Sequence, residues 1–230
     1  MIKLNTFYKY IFEFIVIVFG ISISFFLENV RVDRENENKE KLVKLNLLNE
    51  LSNSSEYLNS RKEAYNIDLQ FLNALINKNI DIDSLYSVGL KGAGYYNSIC
   101  FYRTFDPPNS VYSSLVSDGE INLIKESDIK NLLYRVYILS PQFMQVQIDG
   151  DKKAADNIEL YLIRNYPKLY NKGLQVNDNI NLLKELRDIV INDQELLALI
   201  KRKKFRMEGK LSVFQGYLNI KNTLIENLKL

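Results

Sequence analysis

The sequence predicts an all-α protein: an N-terminal single transmembrane helix continues into a long helix, which packs in a multi-helix bundle. Three observations carry this prediction. An apolar run, Tyr10–Leu27, is charged only at Glu13. The stretch that follows, 28–79, contains neither proline nor glycine. Beyond residue 110 the apolar residues recur at three- and four-residue intervals, the period of an amphipathic helix. Hydrophobic residues make up 47% and charged residues 25% of the 230, the balance of a folded domain rather than a disordered chain.

Tyr10–Leu27 is eighteen residues, or about 27 Å of helix at 1.5 Å per residue, within the usual range for a bilayer span. Glu13 falls in its first turn, near the headgroups, where a carboxylate costs far less than at the bilayer centre. Phe7, Tyr8 and Tyr10 suit an aromatic belt, and Lys3 and Lys9 a basic flank. The membrane-interface residues are thus Tyr8, Lys9, Tyr10 and Glu13 at one end and Glu28, Asn29 and Arg31 at the other. Ser22-Ile23-Ser24 imitates a signal-peptide cleavage site, but Phe25-Phe26-Leu27 carry the apolar run past it. A soluble core helix fits less well, because the segment has no polar face. Arg31, Arg34, Lys39 and Lys41 narrowly outnumber the basic residues of the N-terminal flank. Long domains cross largely regardless of charge, however, so the reading adopted has a cytoplasmic N-terminus and a domain on the far side.

The expected organisation is a short basic tail at 1–9, the transmembrane helix at 10–27, a charged juxtamembrane helix at 28–47, and a helical bundle at 48–230 with an irregular loop at 80–109. Leu48, Leu51, Leu58, Tyr65, Leu69, Leu72 and Ile76 form a heptad pattern that Ser55 and Lys62 interrupt. Those interruptions favour an intramolecular bundle over a parallel coiled coil. "GLKGAG" (Gly89–Gly94) lacks the Gly-Lys-Ser/Thr of a phosphate loop and reads as a plain loop. "SICFYRTF" (Ser98–Phe105) reads as a short strand or an extended segment against the bundle.

Pro107-Pro108-Asn109-Ser110 signals a helix start, and Val111, Tyr112, Leu115 and Val116 give a short amphipathic helix. Asp118-Gly119 is a turn whose glycine supplies positive φ. Ser127 opens a helix to Tyr137, Ser140-Pro141 bends or restarts the chain, and a further helix runs to about Tyr166, closed by Pro167. Asn177–Ile191 reads as helix, Asn192-Asp193 caps "QELLALIKRKKFR", and a last helix covers Leu211–Leu228.

Histidine is absent, which removes Ser-His-Asp and Cys-His catalysis and imidazole-containing zinc sites. Cys100, the one cysteine, reads as a small buried hydrophobe. No cofactor, metal or catalytic residue is expected, and a net charge of +2 brings no expectation of nucleic acid. The densest basic cluster, Lys201, Arg202, Lys203, Lys204 and Arg206, is a candidate contact for anionic lipid or a partner, set against a plain solvated helix face.

Two stretches resemble a family of uncharacterised Gram-negative membrane proteins, domain-of-unknown-function family number 6090. In the first, Glu13, Gly20 and Asn29 lead into "RVDRENENKEKLVKLNLLNEL". In the second, "PPNSVYSSLVSDGEINLI", the matching residues are Ser110, Tyr112, Leu115, Gly119, Leu123 and Ile124. Val30, Val111 and Asp118 depart from the usual Trp, Ala and Ser. The resemblance covers roughly the first fifty residues and 107–125. It implies a single-pass protein of the bacterial inner membrane with a helical domain, and brings no activity.

The functional expectation is a non-enzymatic, membrane-anchored interaction or scaffold protein whose partners are the bilayer and a protein, another copy included. The rival readings are a membrane-tethered sensor of a small ligand and a membrane-acting defence or toxin effector.

Overall fold

The computed structural model describes residues 2–83, 99–174 and 180–229, with side chains from Tyr8 onward. Its order is α1 (Ile2–Ile76), α2 (Ser110–Ser117), a 3-10 turn (Glu120–Leu123), α3 (Ser127–Tyr134), a π turn (Arg135–Leu139), α4 (Ser140–Asn165), α5 (Pro167–Leu174), α6 (Ile180–Asn192) and α7 (Gln194–Leu228). The all-helical class is as expected. The glycine-rich stretch 89–94, the start of the helix expected from Asn177, and the side chains of Lys3 and Phe7 lie outside the described residues.

Helix α1 is unbroken for 75 residues, about 110 Å at 1.5 Å per residue. The stretch expected to be a separate N-terminal tail is already helical from Ile2. Residues 8–29 are exposed all round, and the first buried positions are Glu40, Val43 and Leu47. Packing therefore starts about two helical turns before residue 48. The buried seam also sits further round the helix than the Leu48–Ile76 heptad predicts. It runs through Leu47, Leu51, Ser54, Leu58, Tyr65, Asp68, Leu72 and Leu75. Leu48, Leu69 and Ile76 are half-buried on its flank. Two seam positions are polar, so counting leucines alone places the stripe one column off.

The last two expected helices are one. Helix α7 passes through Gly209 and Gly216 without interruption, because its seam is continuous: Leu196, Ile200, Lys203, Met207, Lys210, Phe214, Tyr217, Lys221, Leu224 and Leu228. Asp193 caps it as expected, accepting from the Glu195 and Leu196 amides. α7 packs chiefly on α4 and α1. It runs antiparallel to α1, since Lys221 reaches Ser55 while Phe214 packs edge-on against Tyr65. At Gly209 a Cβ would meet the end of the flexible Gln147 side chain at 3.0 Å, and no backbone atom of α4 lies within 4 Å of it.

The α-helix restarts at Ser140, as expected, with Pro141 in its first turn. The helix crosses from α3 to α4 through the π turn, in which the Ser140 amide bonds back to the Arg135 carbonyl. Widening the helix at this point accommodates a proline that can donate no backbone hydrogen bond. α4 ends at Asn165 just before Pro167, as expected, and Pro167 also opens α5. Gly119 has φ +74°, the left-handed conformation expected there, and the reversal lets Ile124 and Leu115 both bury.

Candidate functional site

Three features of the bundle carry chemistry. The first is a buried ionic cluster. Asp151 of α4 accepts from Lys203 Nζ at 2.9 Å and, through its other oxygen, from Lys210 Nζ. All three side chains are fully shielded from solvent. Lys203 also donates to the Phe101 carbonyl at 2.9 Å, and the Lys210 ammonium lies 4.6 Å from the centre of the Tyr65 ring. Asp68 of α1 pairs with Arg103 at 2.6 Å. Burial pulls the Lys210 pKa down against the opposing attraction of Asp151. The Asp68 hydrogen bond raises that of Arg103. Charges buried without water must be paired and hydrogen-bonded to be tolerable, and one carboxylate here holds two ammonium groups that stand two turns apart on the seam of α7.

The second feature is the Glu50 node. Its carboxylate, on α1, accepts from the Val111 amide at 2.6 Å, the Tyr112 amide at 3.4 Å and the Tyr137 hydroxyl at 2.9 Å. Asn109 makes no side-chain cap, so α2 takes its N-terminal acceptor from a neighbouring helix instead. Tyr112 and Tyr137 stack with ring centres 4.2 Å apart.

The third is the segment 101–109, which has no regular secondary structure. Of the stretch 98–105, expected as a short strand or an extended segment against the bundle, Ile99 is helical, Cys100 lies in a turn and 101–105 pack on the bundle without regular structure, while residue 98 lies outside the described residues. Phe105 inserts between Phe214 and Tyr217, at 5.8 and 5.1 Å between ring centres. Tyr65 donates to the Thr104 carbonyl at 3.3 Å, and Tyr57 accepts from the Asp106 amide at 2.6 Å.

Of the residues expected at a membrane interface, Tyr8, Lys9, Tyr10, Glu13, Glu28, Asn29 and Arg31 all lie on the exposed part of α1. Lys9 approaches Glu13 to 3.9 Å, and Arg31 bridges Glu28 and Glu35 at 2.6 and 2.9 Å. Among the described residues one helix is long and apolar enough to cross a membrane, and its apolar window is wholly unburied.

The basic cluster of α7 needs correction on two counts. Lys203 is not a surface residue, because it points inward to Asp151 and the Phe101 carbonyl. Lys201 and Arg202 are exposed, Lys204 pairs with Glu208 at 3.2 Å, and Arg206 lies against Gly150. Nor does α7 bring the cluster back toward the apolar segment. Tyr65, level with Lys210, is about 57 Å along α1 from Leu27 at 1.5 Å per residue, and Lys201–Arg206 lie further out still. The end of α7 that returns is Leu224–Leu228.

Asp68, Arg103, Asp151, Lys210 and Glu50 were not singled out by the sequence reading. The signal that could find the lysines is their place in the heptad, since Lys203 and Lys210 stand seven apart among Ile200, Met207 and Phe214. Among the described residues no three carboxylates or thiols converge closely enough to hold a metal ion. No family model, curated protein or solved structure matches the chain.

Proposed function

We propose that this is a non-enzymatic, single-pass membrane-anchored protein whose helical bundle serves as an interaction or scaffold module. The observation that carries the reading is the continuity of α1. Its apolar part has no protein packed on it, yet the same unbroken helix forms one wall of the bundle core. An apolar surface of that kind needs lipid or another apolar helix to cover it. The absence of histidine, the burial of the single cysteine and the lack of any catalytic spacing in the sequence support a binding role. The resemblance to family 6090 in the first fifty residues and in 107–125 supports a single-pass anchor in the bacterial inner membrane, and the reading of the flanks puts the domain on the periplasmic side.

The test is extraction and topology of the full chain. The protein should stay with membranes through an alkaline carbonate wash, while a chain beginning at Glu28 should be released. A compartment-specific reporter fused after Leu230 should be active on the periplasmic side. Release of the full chain by carbonate would overturn the anchor.

A further inference from the structure

Helix α1 carries a second seam, on the side away from the bundle. Leu42 and Leu45 are 57% and 51% exposed, although Val43 and Leu47 beside them are 3% and 0%. At about 100° per residue, the exposed pair lies about 150° round the helix from the buried pair. Steps of three and four residues lead from these leucines to Asn49 in one direction and to Asn38, Glu35, Arg31 and Glu28 in the other. All of them are exposed. That spacing is the heptad of a two-stranded coiled coil. Glu28, Glu35, Leu42 and Asn49 occupy its first position, and Arg31, Asn38 and Leu45 its fourth.

The charges of this seam select its partner. In a parallel pair of helices each seam residue enters a hole formed by four residues of the facing helix. With two copies in register, Arg31 enters between Glu28 and Glu35 of the second copy. Glu35 enters beside Arg31 and Arg34 of that copy. Within one chain Arg31 already bridges the same two acids, at 2.6 and 2.9 Å, so the second copy offers its guanidinium the same partners again. The like-charged flank pair, Arg34 with Lys39 of the second copy, has Glu35 of that copy beside it. Leu42 and Leu45 meet their own counterparts. Asn49 carries both a donor and an acceptor, and an asparagine at the first position paired with its own counterpart fixes register and a two-stranded state. A slip of one heptad sets Leu42 against Glu35 or Asn49 and loses the match. Continued from Tyr10 to Ser52, the seam and its flanks give about 25 residues on each copy, the number in an interface of standard size.

We propose that a second copy of this chain covers this face of α1. The two helices form a parallel, in-register coiled coil, with the bundles turned outward on opposite sides. The proposal rests on the reading of α1 as a membrane anchor, which holds two copies parallel and at one depth, and it names the partner.

The experiment uses the full chain in phosphatidylcholine liposomes at a low protein-to-lipid ratio. Cys100 is buried, so a single added cysteine reports alone. Mild oxidation should give a disulfide-linked dimer from Leu42→Cys and from Leu45→Cys, and none from Glu37→Cys, which is exposed on another face. In the Leu45→Cys background, Arg31→Glu should abolish the dimer, and so should Glu28→Arg combined with Glu35→Arg. Mixing the two charge variants should restore it, which a purely local role of these exposed residues would not do. Equal dimer from Glu37→Cys overturns the proposal. So does an absence of dimer from both leucine positions in protein of unchanged helix content. A disulfide to a different protein in native membranes, with none between copies, gives the face to another partner and overturns it too. Carbonate release with the cross-linking pattern intact would remove the anchor and leave the seam. Membrane retention without the pattern would remove the seam and leave the anchor.

Discussion

Lys203 and Asp151 sit 2.9 Å apart with no solvent access to either side chain, and the second oxygen of Asp151 holds Lys210. Removing the shared carboxylate strands two ammonium groups in the core. Asp151→Asn should destabilise the protein by roughly 3–5 kcal/mol, read as a shift in the denaturant midpoint. Replacing all three residues by apolar ones of similar size should restore much of that stability. A triple variant no more stable than Asp151→Asn would show that the cluster contributes more than charge balance.

Glu50 joins α1 to the start of α2 and to Tyr137. Glu50→Ala should cost roughly 2–3 kcal/mol, through the lost cap and a buried tyrosine hydroxyl left unpaired. Glu50→Gln keeps one acceptor oxygen and should cost less. Thermal unfolding of the two variants side by side checks the ranking.

Two glycines should respond in opposite directions. Nothing lies within 4 Å of a Cβ at either Gly119 or Gly216, but Gly119 has φ +74°. Gly119→Val should therefore cost about 1–2 kcal/mol from backbone strain alone. Gly216→Ala, in the middle of α7, should stabilise by about 0.5–1 kcal/mol. Chemical denaturation of both variants gives the comparison.

Alkaline stability should be governed by the tyrosines. Burial holds Tyr65 and Tyr217 protonated well above the ordinary range, and burial together with Glu50 does so for Tyr137. Burial and the Asp193 bond push Tyr161 up to about 12, and the Glu159 bond with burial does the same for Tyr170. The unfolded chain loses these protons near pH 10 while the folded one retains them. Their contribution is therefore complete below about pH 10 and is lost as pH climbs toward 12. Lys210 works the other way. Its depressed folded pKa makes stability grow with pH until the unfolded lysine titrates near about 10.4. Stability should peak near pH 10 on account of these groups, and the part of the tyrosinate absorbance that belongs to the buried tyrosines should appear together with loss of helix. Ionisation of all 15 tyrosines in a fully helical protein would contradict this.

The helices were legible because apolar spacing dictates them, and the Asp193 cap and the Gly119 turn because each rests on a local rule. What the sequence hid was polar residues doing core work. Ser54 and Asp68 in α1, and Lys203, Lys210 and Lys221 in α7, occupy seam positions that a hydrophobic pattern scores as surface. Their partners are remote in the chain, and Lys203 bonds a carbonyl 102 residues away. The same distance explains why 98–105 could be read only as a strand or an extended segment, since the main chain of 101–106 is satisfied by side chains of other elements. Pro141 was legible for the same local reason, since α4 begins at Ser140 and holds the proline in its first turn; the π-bonded turn before it was not.

The uninterrupted α1 fixes an angle as well as a height. Between the exposed apolar residues and the first buried contacts at Glu40 and Val43 lies a stretch of bare helix with no hinge. Each residue inserted there would turn the bundle about 100° around the helix axis and raise it about 1.5 Å, and seven would bring it nearly back into phase. Every face of the bundle therefore has one azimuth relative to the apolar segment, set by the number of residues in the stalk.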